Sequence, residues 1–158
     1  MPRWLEHRIP PPVIDAAVAA LMWGLAAWWP EAQLWPRGGP WLAWVVACSL
    51  PVCGGLIAFA GAREFARAGT TFNPLAPQRA SRLVTTGIFR HTRNPMYLGM
   101  LLVLAGWGVW LGNAAAWAGL PLLVWTLNQL QIKPEERILR QRFGQDFERY
   151  AARVRRWV

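Results

Sequence analysis

The sequence predicts an all-α integral membrane protein with four transmembrane helices, arranged as two hairpins and followed by a cytoplasmic amphipathic helix. Three observations lead to this fold class. Of the 158 residues, 54% are apolar and 12 are tryptophan, which is unusual for a soluble domain. Four long stretches are almost free of charge, and the basic residues collect in segments on one side of them. These features predict a single membrane domain, residues 1–158.

The four apolar stretches are each long enough to cross a hydrocarbon core of about 30 Å, which takes roughly 17 to 25 residues of helix. The predicted spans are residues 13–29, 41–60, 95–111 and 114–132. Only the first contains an Asp, Glu, Lys or Arg residue, which is Asp15, close to its end. We expect this span to be retained, because bulky residues follow it where a signal peptide has a small-residue cleavage site.

Basic residues predict the orientation, since Lys and Arg accumulate in cytoplasmic loops. The segment 61–93 holds six arginines against one acid, Glu64, and the tail from Lys133 holds eight basic residues against four acidic ones. Both termini are therefore expected in the cytoplasm, with a bacterial inner membrane as the location. The net charge of +9 matches anionic membrane lipids as partners, and no nucleic-acid-binding module is present.

The first half, residues 1–69, is predicted to be a helical hairpin around a turn rich in proline and glycine. In the second span, Pro51 and Gly54-Gly55 predict a kink or a close helix contact. An irregular cytoplasmic segment follows, from residue 70 to about 93, and irregular segments of this length are often functional.

The second half, residues 70–158, is predicted to be the cofactor-binding catalytic half. Its two spans are joined by Gly112-Asn113 alone, which predicts a tight antiparallel pair. Pro134 is expected to open a charged helix that runs to about Phe143. Apolar residues at helical spacing beyond Gly144 predict an amphipathic tail that folds back onto the cytoplasmic ends of the spans.

Two clusters of polar residues flank this pair of spans, residues 87–99 before the third and residues 133–137 after the fourth. Because the connecting turn is short, we expect the clusters to meet in space. Together they supply cations, carboxylates and an aromatic ring. No metal site is predicted, since Cys48 and Cys53 have neither metal-ligand spacing nor a neighbouring histidine.

These clusters resemble a known family. The segment Arg93-Asn94-Pro95-Met96-Tyr97-Leu98-Gly99 is similar to the signature Arg-His/Asn-Pro-x-Tyr-x-Gly, and Glu135-Glu136, with Phe143-Gly144 and Tyr150 after it, resembles a paired-glutamate block. Both belong to the isoprenylcysteine carboxyl methyltransferase and phospholipid methyltransferase group of membrane enzymes. The resemblance covers roughly residues 70–158, including the segment 83–90.

The resemblance implies S-adenosylmethionine as the cofactor, bound at the cytoplasmic face. The implied cofactor-binding residues are Arg90, His91, Asn94, Pro95, Tyr97, Leu98, Gly99, Glu135 and Glu136. The implied catalytic residues are Arg93, Glu136 and His91. The side-chain chemistry of these residues fits the parts of S-adenosylmethionine. Arginine forms bidentate hydrogen bonds to a carboxylate, and a carboxylate accepts hydrogen bonds from an ammonium group or from ribose hydroxyl groups. An aromatic face attracts a sulfonium cation.

Each of these residues also has a purely structural interpretation. Asn94 and Pro95 suit a helix cap and first turn, Glu135 and Glu136 complement a helix N-terminus, and a lone histidine such as His91 is commonly solvated. Polar residues within the fourth span have two interpretations, lining a site or bonding between helices. They are Asn128, Gln129 and Gln131.

The predicted function is S-adenosylmethionine-dependent methyl transfer to a lipophilic acceptor, a lipid or small molecule, drawn from the membrane. An acceptor carboxylate needs only an orienting cation such as Arg93 or Arg90, whereas an amine or thiol also needs a base, His91 or a glutamate. Two alternatives remain open at this stage. One is an NADPH-binding enzyme of the sterol-reductase type, and the other is a non-catalytic membrane partner or lipid-binding protein.

Overall fold

The computed structural model describes residues 9–69 and 82–158, and all regular elements within them are helical. The predicted all-α class is confirmed for this part of the chain. The helices are α1 (Pro11–Trp28), α2 (Trp41–Arg67), α3 (Pro95–Leu111), α4 (Gly119–Leu127), α5 (Lys133–Phe143) and α6 (Gln145–Arg153). Of the predicted irregular segment, residues 70–81 lie outside the described residues.

Helices α1 and α2 are long and apolar enough to cross a membrane, with 18 and 27 residues. Only 28% and 11% of their most apolar windows are buried inside the protein. The core helix of a soluble protein would be mostly buried, whereas large side chains such as Trp41 and Phe59 point outward here (76% and 66% exposed). Helix α3 is also apolar and has 17 residues, with the same bounds as the predicted span.

Glycines bring α2 and α3 into backbone contact, and these two antiparallel helices share the most extensive packing in the described chain. A Cβ on Gly54 would lie 2.5 Å from the backbone oxygen of Gly99, and a Cβ on Gly99 would lie 2.5 Å from that of Gly54. Further along, Gly61 meets Pro95, and Gly106 meets Pro51. The close contact predicted around Gly54 is therefore present.

Helix α1 packs against the segment of α4 rather than against its hairpin neighbour α2. Its buried stripe is Ile14, Val18, Met22 and Ala26. Met22 contacts Gly119, where a Cβ would collide with its side chain. Along the chain α1 precedes α2 and α3 precedes the α4 segment, as in the predicted hairpins, but the main packing in the described chain pairs α2 with α3 and α1 with α4. We predicted a tight antiparallel pair between the third and fourth spans, but α3 packs mainly against α2.

The predicted fourth span, residues 114–132, is not a regular α-helix. It begins with a 3-10 turn (Ala115–Ala118), continues as α4, and ends in a π-turn (Asn128–Ile132) that runs directly into α5. The prediction that a separate helix starts at Pro134 is therefore corrected. Proline lacks an amide hydrogen and its ring crowds the carbonyl one turn earlier, so the wider π-turn just before it accommodates this defect.

The C-terminal helix α6 folds back as predicted, after a break at Gly144. That glycine has φ +50°, a conformation that residues with a side chain rarely adopt. Phe147 and Tyr150 of α6 are buried beside Phe89, and the Tyr150 hydroxyl donates to the backbone oxygen of Phe89 at 2.7 Å. The fold thus gathers α5, α6 and the start of α3 at one end of the bundle, which we call the site end.

Candidate functional site

The two predicted polar clusters meet at the site end. The hydroxyl of Tyr97, in the first turn of α3, donates to the Glu135 carboxylate at 2.5 Å. A guanidinium nitrogen of Arg93 lies 2.9 Å from a carboxylate oxygen of Glu136. Residues some forty positions apart in sequence are therefore in direct contact.

Glu136 is the centre of a buried charge network. Only 4% of this residue is exposed, and it accepts two hydrogen bonds from Arg156, at 2.8 and 2.7 Å, in addition to the contact with Arg93. Arg140 approaches it at 3.7 Å. Burial alone would raise the pKa of Glu136, but the bond from Arg156 and the three arginine charges outweigh it and hold the pKa below its usual value. Glu136 is therefore a carboxylate at neutral pH.

Glu135 has the opposite electrostatic environment. Burial and the neighbouring charge of Glu136 raise its pKa to about 7, although the Tyr97 hydrogen bond acts in the other direction. This residue is half-buried and faces the apolar core that contains Tyr97 and Leu130. The paired glutamates thus differ in role, one held ionised by arginines and one able to change protonation near neutral pH.

The C-terminal residues 154–158 cross the site as a strap. The backbone oxygen of Arg156 accepts hydrogen bonds from the side chains of Asn94 (2.9 Å) and Thr92 (3.2 Å). The amide of Arg93 donates to the backbone oxygen of Arg155 at 3.1 Å. Asn94 does occupy the N-cap position of α3, but its side chain bonds the strap and makes no capping bond.

The remaining predicted site residues occupy two kinds of position. Arg90 and His91 are exposed at the end of the 3-10 turn Gly87–Arg90. Pro95 and Gly99 face α2, where their contacts with Gly61 and Gly54 account for their positions, and Leu98 is half-buried. A cofactor contact at any of these five residues stays a prediction.

Several buried polar atoms at the site end have no hydrogen-bond partner among residues 9–69 and 82–158. Two are donors, Nε of Arg93 and Nε1 of Trp157. Three are acceptor oxygens, on Asp15, Asn128 and Gln131. Buried polar groups are normally paired, so such a group suits contact with a bound molecule.

Comparison with known protein families identifies the family of this chain. The model of the phospholipid methyltransferase family matches residues 42–146, more than half of the chain. The chain belongs to this family. The predicted resemblance is confirmed, and the phospholipid methyltransferase match begins in α2, earlier than the expected residue 70.

Individual proteins that are similar to this chain match shorter segments than the family model does. An uncharacterised protein of Haemophilus influenzae is 46% identical over 63 residues, which are 40% of this chain and all of that protein. A probable protein-S-isoprenylcysteine O-methyltransferase of Oryza sativa subsp. indica is 37% identical over 73 residues, 46% of this chain and 38% of that protein.

The protein-S-isoprenylcysteine O-methyltransferase B of Arabidopsis thaliana is 34% identical over 90 residues, 55% of this chain and 46% of that protein. The chain thus spans less than half the length of the isoprenylcysteine methyltransferases that it matches. No solved structure matches the chain significantly.

Sequence reasoning missed the strap of this phospholipid methyltransferase family member. Arg156, Thr92 and Trp157 were not among the predicted site residues. The sequence did contain one signal for this contact. The two adjacent arginines Arg155-Arg156 follow the amphipathic C-terminal helix, and the paired glutamates are available to bind them. Arg156 lies 20 positions from Glu136 in sequence, and only the reversal of direction at Gly144 brings the two together.

Proposed function

We propose that this protein transfers a methyl group from S-adenosylmethionine to a lipophilic acceptor at the cytoplasmic face of a membrane. The observation that carries the proposal is the junction of the Arg93–Gly99 signature with the paired glutamates, in a member of a methyltransferase family. The relatives named as isoprenylcysteine O-methyltransferases support an acceptor that carries an apolar chain.

The side chains at the site fit the parts of S-adenosylmethionine. The buried Nε of half-buried Arg93 has no partner among the described residues, and it is available as a donor to the carboxylate of the amino acid moiety. Glu135 accepts hydrogen bonds from an ammonium or from ribose hydroxyl groups, and the ring of Tyr97, buried beside it, offers a surface for a sulfonium cation. When bound, S-adenosylmethionine supplies an activated methyl group.

The protein residues contribute mainly position and electrostatics. The arginines around Glu136 fix its carboxylate, and that carboxylate in turn orients Arg93. Holding two reactants in a fixed geometry lowers the entropic part of the barrier. Buried apolar residues around Tyr97 exclude water from this end of the bundle.

The membrane arrangement that we propose has four crossings, with both termini and the site in the cytoplasm. Two helices meet the length and hydropathy requirement, and α3 is a shorter apolar helix. Residues 95–132, which cover α3 and the α4 segment, contain no Asp, Glu, Lys or Arg. Among the described residues, all arginines and lysines except Arg37 lie at or beyond the site end of the helices. This asymmetry favours the site end as the cytoplasmic one.

Calorimetric titration of the detergent-purified protein with S-adenosylmethionine tests the proposal, with NADPH as the parallel ligand. We expect saturable binding of the methyl donor and a loss of at least about tenfold in affinity in Arg93→Ala, about 1.4 kcal/mol. The matched control is Arg149→Ala, because Arg149 lies in an exposed ion pair with Asp146. Binding of NADPH alone, or of neither ligand, would refute the proposal.

A further inference from the structure

The site end also contains a groove that the methyl-donor site does not use. It lies between helix α6 and the chain segment 82–85, and its volume is about 910 Å³. Its lining includes three arginines, one acid and two large apolar side chains, which are Arg82, Arg149, Arg153, Asp146, Leu83 and Phe143. We call this surface the arginine groove. None of the described residues that line it belongs to the predicted cofactor-binding or catalytic residues.

Positive charge predominates in the arginine groove. Its acid, Asp146, is already bound to Arg149 at 2.8 Å. Within the part of the chain that the structure describes, Arg82 and Arg153 form no ion pair. A concave surface with several guanidinium groups complements an anion that carries several oxygens, such as a phosphate, because the planar donors match its geometry.

Helix α6 separates the arginine groove from the methyl-donor site. Asp146, Arg149 and Arg153 follow one another at intervals of three and four residues, so they share one exposed face of the helix. Phe147 lies about 100° around the helix from Asp146 and is buried, with the guanidinium carbon of Arg93 5.9 Å from its ring centre. A ligand in the groove and a ligand at the methyl-donor site would therefore contact different sides of α6.

The arginine groove adjoins the end of a helix that is long and apolar enough to cross a membrane. Leu83 and Phe143, from its lining, belong to an apolar cluster. The same cluster includes Phe65 and Ala68, at the end of α2. Only 11% of the most apolar window of α2 is buried inside the protein. In the membrane arrangement that we propose, the groove is then at the depth of the lipid head groups, where arginines attract anionic lipids.

We propose that the arginine groove binds the phosphate of an anionic membrane lipid, with the lipid as a ligand and not as the methyl acceptor. The arginines bind the phosphate oxygens, while the apolar side chains contact the glycerol and the start of the acyl chains. A groove of this volume has room for a whole head group. The inference goes beyond the proposed function and does not depend on methyl transfer.

The first experiment compares four ligands by their effect on the melting temperature of the detergent-purified protein. They are short-chain phosphatidylglycerol, phosphatidylcholine with the same acyl chains, glycerol 3-phosphate and a hexaglutamate peptide. We expect phosphatidylglycerol to raise Tm and to half-saturate at a concentration at least about tenfold below those of the other three. The reason is that the arginines repel the choline cation, and that the two soluble anions have no acyl chain to contact the apolar side chains.

The second experiment repeats the phosphatidylglycerol titration with variants of the groove. We expect the half-saturating concentration to rise about fivefold in Arg82→Gln and in Arg153→Gln, since each removes one arginine from the lipid surface. Asp146→Asn removes the acid and releases Arg149, so it should lower that concentration at least about twofold. The matched control Arg155→Gln removes the same charge from an exposed side chain outside the groove and should titrate as the wild type does.

Opposite effects at the acid and at the two arginines, with an unchanged control, would support the inference. An equal loss in the control would show a response to net charge alone, and unchanged titrations in both arginine variants would exclude the groove as the site. Equal half-saturation by phosphatidylcholine or by glycerol 3-phosphate would overturn the anionic lipid as the ligand. A stronger response to hexaglutamate would assign the groove to an acidic protein partner instead.

Discussion

Glu135 and Glu136 are consecutive residues of α5, yet their carboxylates are in different environments. The Tyr97 hydroxyl donates to Glu135, whereas Arg93, Arg140 and Arg156 approach Glu136. Neighbouring positions on a helix differ by about 100° in direction, so one turn supplies two separate environments. The sequence indicated the pair, but this division depends on which elements pack on each side.

The raised pKa of Glu135 predicts a measurable pH dependence of stability. The folded protein favours the neutral carboxyl and so holds its proton more tightly than the unfolded chain, whose pKa is about 4.5. The contribution is therefore complete below about pH 4.5 and is lost as the pH rises to about 7. We expect the wild-type Tm to fall relative to that of Glu135→Gln between pH 5 and 7.5.

The measurement is thermal unfolding of both proteins in detergent across this range, with Glu31→Gln as the control for loss of an exposed acid. If Tm changed with pH in the same way for wild type and Glu135→Gln, the raised pKa of Glu135 would be contradicted. The neighbouring Glu136 does not interfere, because its lowered pKa confines its own titration to more acidic solutions.

At the scale of elements, the glycine contact between α2 and α3 gives the sharpest prediction. Gly54→Ala places a methyl group 2.5 Å from the Gly99 oxygen, so the helices must separate, at a cost of about 1–3 kcal/mol. The adjacent Gly55 has no atom within 4 Å of its would-be Cβ. We expect Gly54→Ala to lower Tm by several degrees and Gly55→Ala to leave it unchanged or slightly higher, since alanine favours helices.

Thermal unfolding of the two variants, purified side by side, checks this prediction. The pair is closely matched, because both substitutions add one methyl group to neighbouring residues of the same helix. Equal melting temperatures would show that the close approach of the two backbones is not required.

The strap of residues 154–158 gives a second prediction at this scale. Arg156→Ala removes both hydrogen bonds to Glu136, while Arg155 has an exposed side chain and uses only its backbone oxygen at the site. We expect faster amide hydrogen exchange in the peptide 148–158 of Arg156→Ala and wild-type exchange in Arg155→Ala. Mass spectrometry of the exchanged peptides measures this, and equal rates in all three proteins would contradict a strap held by Arg156.

The elements themselves were largely predictable where hydropathy alone determines them. The bounds of α3 match the prediction at both ends, and α1 differs from its predicted span by two residues at one end and one at the other. The π-turn was not predictable from hydropathy, because it depends on how the ring of Pro134 crowds the carbonyl groups of the preceding turn. The partner of Asn94 was missed for a different reason, since a capping bond is local and the strap is distant in sequence.

At the scale of the whole molecule, the separation of charge predicts which end faces the cytoplasm. Cysteines introduced one at a time at Arg37 and Gln145, with Cys48 and Cys53 replaced by alanine, should react differently with a membrane-impermeant maleimide. In intact spheroplasts of a bacterial expression host we expect labelling at position 37 only, with position 145 labelled after permeabilisation. The reverse pattern would invert the proposed orientation, and labelling at both positions in intact cells would exclude it.

The packing of α1 against the α4 segment has a consequence for biosynthesis. Helices α2 and α3 can pair as soon as α3 emerges, and α1 can then contact α3 through Trp107 and Gly108. The α4 segment that covers the rest of the α1 stripe is complete only after about a hundred residues beyond α1 have been made. At the usual 5–20 residues per second, that interval is roughly 5–20 seconds. Because the stripe of α1 that is buried in the folded protein lacks part of its cover during this interval, we expect slower translation through α4 to lower the yield of correctly assembled protein.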